Sequence, residues 1–216
     1  MTGTRSRFLT LIASGSSTER IAFFSDAVFA IAMTLLVLEL HVPEVEGDGL
    51  GTALIALVPS YLAFLLSFAV LGTAWLAHHR KLAVIERFDP MLPRLNLLVL
   101  LMVASLPLPT ALIARSGDDP LAVSVYAAAI AALGGSLVLL WCWAWSRGLT
   151  SPAVSRELFR YVLVQSTVVP VVFAVSIPIA VLGSSLAAEL FWLVALPATV
   201  LVSRVSTAPH ATEQPA

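Results

Sequence analysis

A few charged and polar residues lie inside an otherwise apolar stretch at residues 20–40, where Arg20, Ser25 and Asp26 precede a dozen apolar positions. A carboxylate within a membrane is costly unless it is paired, so Asp26 requires a hydrogen-bond donor from Arg20 or from a neighbouring helix. Arg20 is six residues from Asp26 and lies on another helix face. This spacing favours a network across helices over a pair within one helix.

Donors for such a network occur near the ends of two further apolar stretches. Trp75, His78 and His79 end the second stretch, and Asn96 begins the third, so all four are expected at one level of the bundle with Ser25. An alternative interpretation is that the histidines are interfacial residues beside Trp75, as is common at membrane boundaries. Adjacent histidines point to different helix faces and no third ligand has suitable spacing, so no metal site is predicted.

An apolar face follows Asp26 on the same predicted helix. At about 100° per residue, Ala27, Ile31, Thr34 and Leu35 fall on one stripe that continues to Leu38. Asp26 is turned about 140° away from Ile31 on an ideal helix, toward neighbouring helices. The residues alone therefore predict that Asp26 fixes the packing of this helix against its neighbours. On periodicity alone, the apolar stripe is interpreted as a packing surface.

Composition places these elements in a membrane. The chain has 216 residues, of which 59% are hydrophobic and only 12% charged, and its mean hydropathy is +0.95. These values lie far outside the usage of soluble domains. Cys142 is the single cysteine, so a disulfide framework and a CxxC metal motif are excluded.

Six apolar stretches are each long enough to cross a bilayer as a helix, and the predicted fold class is therefore an all-α integral membrane protein. The predicted spans are 21–41, 53–77, 92–114, 121–146, 159–182 and 186–203. Residues 1–20 are expected to be a cytoplasmic tail, 21–204 the six-helix domain, and 205–216 a disordered tail. A small-residue stripe, AAAIAALGGS, in the fourth span would allow another helix to approach closely, either within or between subunits.

Basic residues predict the orientation of the spans. Eleven of the twelve lysines and arginines fall at the amino terminus, the second and fourth loops and the carboxyl terminus, and Arg115 alone falls on the other side. The positive-inside rule therefore places both termini in the cytoplasm. The loop with Glu44, Glu46 and Asp48 is then outside.

Residues 20–26 complete the pattern R-x-x-x-F-S-D, followed by AVFAIAMTLLVLEL, and this segment resembles the first helix of the transmembrane protein 175 family of potassium channels. WLAHHR at the end of the second span and NLLVLLMVASLPLPTALI in the third are also similar to the prokaryotic members. Spans four to six resemble the family only in general character. The residues that the motif and its expected partners assign to a structural polar network are Arg20, Phe24, Ser25, Asp26, Trp75, His78 and Asn96.

The resemblance implies a potassium-selective channel in a prokaryotic cell membrane, assembled as a homotetramer because the chain carries one six-helix unit. In that family the first helices line the pore, so Ile31 is expected at the constriction and Thr34, Leu35 and Leu38 in the pore wall. An ion would shed part of its water in this narrow neck, and potassium loses water more cheaply than sodium. Glu39 is expected either to concentrate cations at the outer mouth or to be an interfacial residue without that role.

Other function classes are less well supported. A cation-coupled secondary transporter would need an ionisable cluster at the middle of the membrane, and no such cluster or inverted repeat is present in the sequence. No nucleophile motif surrounds Ser25, so an enzyme is not predicted. No cofactor and no nucleic-acid partner are expected, and a proton-conducting channel remains an alternative to a potassium channel.

Overall fold

The chain folds as a bundle of long helices in a computed structural model that describes residues 18–40, 49–87 and 89–205. The parts of the predicted tails at 1–17 and 206–216 lie outside the described residues, as do Glu44, Glu46 and Asp48. Six segments are long and apolar enough to span a membrane, which confirms the predicted all-α membrane fold. Their bounds are Glu19–Glu39, Val58–Ala83, Leu92–Ser116, Pro120–Ser146, Arg156–Leu182 and Ser185–Val202.

Several spans consist of more than one helix. The helices in chain order are α1 (Thr18–Leu35), α2 (Leu50–Ala56), α3 (Val58–Ala83), α4 (Leu92–Ser105), α5 (Pro107–Ser116), α6 (Pro120–Ser146), α7 (Arg156–Leu182), α8 (Ser185–Trp192) and α9 (Ala195–Val205). A 3-10 helix, Leu36–Glu39, continues α1. The third span is divided at Leu106, where Pro107 begins α5 and provides no backbone N–H for the preceding turn.

The predicted bounds of the second span were wrong at both ends. The prediction began this span at residue 53, but the helix is interrupted at Leu57. Pro59 lies in the first turn of the helix that follows. The prediction ended it at residue 77, but α3 continues through Arg80 and Lys81 to Ala83. A helix continues beyond its apolar stretch because its backbone hydrogen bonds need no apolar side chains, and long basic side chains extend along it.

α1 packs along one side against α3 and α4. Its buried positions are Ser25, Phe29 and Ala32, and the buried stripe continues to Leu36 in the 3-10 helix, so these positions recur every three or four residues. Opposite this buried stripe, α1 has a face whose side chains, among them Ile31, are exposed.

α6 and α7 form the longest antiparallel pair. A Cβ atom added at Gly134 of α6 would lie 2.7–2.9 Å from three ring carbons of Pro170 in α7. Glycine is therefore required for this approach, whereas a Cβ atom at the neighbouring Gly135 would meet nothing within 4 Å. Gly134, from the predicted small-residue stripe, thus packs within the subunit.

Two loops at one end of the bundle are joined by backbone hydrogen bonds. Ile85, after α3, and Thr150, after α6, form an isolated antiparallel bridge. The N–H of Ser151 donates to the carbonyl of Val84 at 2.8 Å. The loops that follow α3 and α6 are therefore held together.

Candidate functional site

Ser25 links α1 to α4 through a buried hydrogen bond. Its hydroxyl donates to the carbonyl of Ile21 at 2.7 Å and accepts from Nδ2 of Asn96 at 3.0 Å. Both Ser25 and Asn96 are buried. Because each polar group has a partner, the pair fixes the position of α1 against α4 without leaving an unsatisfied group in the bundle.

Asp26 links α1 to α3. Nε1 of Trp75 donates to Oδ1 of Asp26 at 2.8 Å, and Nδ1 of His79 lies 3.6 Å from the same oxygen. Trp75 and His79 are four residues apart on α3, and their ring centroids are 5.7 Å apart. The expected donor to Asp26 on a neighbouring helix is thus Trp75, and a protonated His79 adds an ion pair.

His79 is a contact of Asp26 that the predicted network omitted in favour of His78. The signal was available, because residues four apart on a helix share a face and Trp75 was already assigned to the network. His78 is directed instead into the bundle, where its ring packs 5.6 Å from Phe29. Neither ring nitrogen of His78 makes a hydrogen bond within the described part of the chain.

Arg20 and Phe24 are both exposed on α1. Arg20 is exposed in the first turn of α1, and the side chain of Phe24 is 56% exposed. The structure therefore brings Ser25, Asn96, Asp26 and Trp75 together and leaves Phe24 at the surface of the chain. Among the described residues, no group of three side chains could hold a metal ion.

The exposed face of α1 carries the residues that the family resemblance assigns to a pore. Ile31 is 58% exposed, Leu38 is 67% exposed, and Thr34 and Leu35 are exposed between them. The hydroxyl of Thr34 donates to the carbonyl of Ile31 at 2.8 Å. The Thr34 side chain therefore lies close to the helix backbone and projects little from the helix surface.

The 3-10 helix extends this face at one end of α1. Side chains three residues apart are aligned in a 3-10 helix, which places Leu35 and Leu38 nearly in line. Leu36 is fully buried and anchors the segment, whereas Glu39 at its end is half-buried. The transition from α to 3-10 geometry could not be inferred from the apolar pattern.

A second buried polar cluster was missing from the sequence prediction. The hydroxyl of Ser67 in α3 lies 2.8 Å from that of Thr110 in α5 and 3.0 Å from that of Tyr126 in α6. The hydroxyl of Thr110 also lies 2.9 Å from the carbonyl of Leu106. The cluster therefore links the third span, which is divided at Leu106, to α3 and α6 by hydrogen bonds.

Comparisons with known proteins agree with the all-helical membrane fold. A family model described as the endosomal/lysosomal potassium channel TMEM175 matches residues 20–107. The crystal structure of a lysosomal potassium-selective channel TMEM175 homolog from Chamaesiphon minutus is 35% identical to the chain, with a TM-score of 0.72. The match covers 88% of this chain and 98% of that one.

The chain belongs to the TMEM175 family. Two curated relatives are named potassium channels. One, from Streptomyces collinus, is 42% identical over 56% of this chain, and another, from Chamaesiphon minutus, is 46% identical over 58%. The matched regions cover 62% and 65% of the relatives' own lengths. The family-model match begins at Arg20 and ends at Pro107, so it contains most of α1 and all of α3 and α4, with the links made by Ser25 and Asp26.

Proposed function

We propose that the chain forms a potassium-selective cation channel in which the first helices of four copies line a central pore. The observation that carries this proposal is the exposed face of α1. The chain has relatives that are named potassium channels, so this face is a candidate pore lining. Other helices also expose apolar side chains, as expected for contact with lipid. What distinguishes α1 is that its face follows the R-x-x-x-F-S-D motif.

Two links orient α1 in this proposal. Ser25 bonds to Asn96 and Asp26 bonds to Trp75, so both polar links lie on the side of α1 that faces its own subunit. The face with Ile31 and Leu38 is thereby directed away from the subunit. Four such faces around an axis form a narrow apolar neck, in which a cation must lose part of its hydration shell.

Ile31 forms the constriction of the proposed pore. Four isoleucine side chains meeting at the axis would exclude water and close the neck by dewetting. Leu35 and Leu38 extend the apolar wall beyond Ile31 through the 3-10 segment. Glu39 would then lie at the outer mouth, where a carboxylate raises the local cation concentration.

Thr34 provides oxygen ligands within this apolar wall. A hydroxyl has one proton and two acceptor lone pairs, and the Thr34 proton is donated to the carbonyl of Ile31. The oxygen therefore offers only lone pairs to the pore, where they replace part of the water lost by a potassium ion. This arrangement favours cations over anions.

The proposed orientation places both termini in the cytoplasm of a prokaryotic cell, with the channel in the plasma membrane. It rests on the location of eleven of the twelve basic residues at one end of the predicted spans. The Ser25 and Asp26 links then lie in the cytoplasmic half, and Leu38 and Glu39 lie in the outer half.

The test is the reversal potential of purified protein in planar bilayers with potassium on one side and sodium on the other. Ile31→Asn is compared with the parent and with Val171→Asn, whose position on α7 is 53% exposed. We expect the parent to reverse near the potassium equilibrium potential. Ile31→Asn should carry a larger or less selective current, because a polar ring at the neck retains water, and Val171→Asn should behave as the parent does.

Three outcomes would overturn parts of the proposal. A reversal potential that ignores the potassium gradient and follows a proton gradient would identify a proton channel. Uptake only with a coupled ion would identify a transporter. Unchanged current in Ile31→Asn, in protein that light scattering shows to be tetrameric, would remove Ile31 from the constriction.

A further inference from the structure

Lys81 is a buried lysine whose ammonium group has no acceptor among the described residues. It lies in the last turn of α3 with 2% of its surface exposed. Its Nζ atom makes no hydrogen bond within the described part of the chain. A lysine ammonium is a compact, strongly hydrated charge with three donors, and buried charges in proteins are paired. This position therefore needs a partner.

The nearby carboxylates do not supply that partner. Asp26 faces Trp75 and His79, and Asp89 lies 3.7 Å from Arg147. Among the described residues, no carboxylate lies within ion-pair distance of Lys81. The neighbouring ionisable group on α6 is the thiol of Cys142, a poor acceptor.

A second unpartnered group lies on α6. The buried Nε1 of Trp143, next to Cys142, has no hydrogen-bond partner among the described residues. Two donor groups near the same ends of two helices are thus unused within the described part of the chain.

Two further basic side chains lie near the same helix ends, at the edge of the membrane span. Arg80 is exposed beside Lys81, and the Arg147 side chain at the end of α6 is 58% exposed and lies 3.7 Å from Asp89. The bridge between Ile85 and Thr150 holds these two helix ends together. Basic sites between helices at the edge of a membrane span bind anionic lipid headgroups.

We propose that Lys81 is the inner contact of a binding site for a phosphate-bearing anion between the ends of α3 and α6. Phosphate offers several acceptor oxygens to a lysine, which binds it as a point charge. No hydrogen bond holds the ammonium in place, so its flexible stem can reorient toward a ligand without losing one. The anion is supplied either by the headgroup of an anionic phospholipid or by free phosphate.

The experiment measures thermal unfolding of the purified full-length chain in neutral detergent by tryptophan fluorescence. Short-chain phosphatidylglycerol, short-chain phosphatidylcholine and sodium phosphate are titrated separately at constant ionic strength. We expect phosphatidylglycerol to raise the Tm of the parent and phosphatidylcholine to leave it unchanged. Lys81→Met should require about tenfold more phosphatidylglycerol for the same shift, which corresponds to about 1.4 kcal/mol.

Matched variants separate this site from general surface charge. Arg80→Met removes the adjacent exposed charge and should change the half-maximal concentration by less than about twofold, as expected for a screened surface charge. Lys81→Arg should retain the response because the positive charge and its donors remain. Lys81→Gln is measured beside Lys81→Met, so that a folding defect in one variant leaves the other to decide.

The outcomes distinguish the sources and expose a failure. A Lys81-dependent shift with phosphate alone would identify a soluble anion, and one with phosphatidylglycerol alone would identify a lipid. The proposal is wrong if neither compound shifts the Tm of the parent, or if Lys81→Met and Lys81→Gln respond as the parent does. It does not depend on the proposed pore, because none of these measurements records current.

Discussion

Gly134 on α6 faces the ring of Pro170 on α7 at a distance that leaves no room for a methyl group. A Cβ atom at residue 134 would lie 2.7, 2.8 and 2.9 Å from Cβ, Cγ and Cδ of Pro170. Carbon atoms in contact normally lie about 3.5–4.0 Å apart, so the overlap approaches an ångström. Neither side can adapt by a change of rotamer, because one is a helix backbone and the other a closed ring.

Gly134→Ala should therefore destabilise the protein by about 1–3 kcal/mol, the usual range for overpacking. Gly135→Ala is the matched control, since a Cβ atom there meets nothing within 4 Å. Alanine is favoured over glycine in a helix by up to about 1 kcal/mol, so this control should be neutral or slightly stabilising. The two substitutions differ only in what the new methyl group contacts.

The assay is thermal unfolding in detergent, followed by the fluorescence of the five tryptophans. For a chain of this size, 1 kcal/mol corresponds to about 2–4 °C, so Gly134→Ala should lower the Tm by roughly 2–12 °C. Pro170→Ala combined with Gly134→Ala removes the contacts with Cγ and Cδ but keeps the 2.7 Å contact with Cβ, so it should recover only a small part of the loss. If Gly134→Ala unfolds at or above the temperature of Gly135→Ala, the reasoning from this contact is refuted.

Two further predictions concern the buried polar links. Trp75→Phe keeps an aromatic ring but removes the donor to Asp26. We expect the free energy of unfolding to fall by about 1 kcal/mol. A hydrogen bond to a charged acceptor usually contributes more, but Asp26 is partly exposed. An unchanged Tm would show that His79 alone satisfies Asp26. Ser67→Ala leaves the buried hydroxyls of Thr110 and Tyr126 without their shared partner and should cost about 1–3 kcal/mol in the same assay. A Tm within error of the parent would contradict that estimate.

The sequence predicted the number of spans well because each apolar stretch is long and is bounded by charged or proline-containing segments. It failed at the ends of α3 for a physical reason. Hydropathy reports where side chains favour lipid, whereas the helix ends where its backbone hydrogen bonds end, at Ala83. Lys81 was thus counted in a loop although it is buried within the helix.

Within the candidate site, the sequence predicted that Asp26 needs a donor, and the four-residue spacing of Trp75 and His79 could have selected His79 over His78. The orientation of α3 about its axis relative to α1 could not be predicted in the same way. The contact between Ser67 and Tyr126 was unpredictable for the same reason, since isolated hydroxyls are common in membrane helices. The positions on the exposed stripe of α1 were available from periodicity, and their assignment to a pore remains a prediction from the family motif.

The buried stripe of α1 limits how the proposed pore could change its width. Ser25, Phe29, Ala32 and Leu36 anchor the helix to its own subunit over almost its full length. A turn of α1 about its axis by one residue would separate Ser25 from Asn96 and draw Phe29 and Leu36 out of the core. Rotation of α1 alone would therefore cost free energy at each of these buried positions. Widening would instead require each subunit to tilt or slide as a rigid body against its neighbours, carrying the constriction with it.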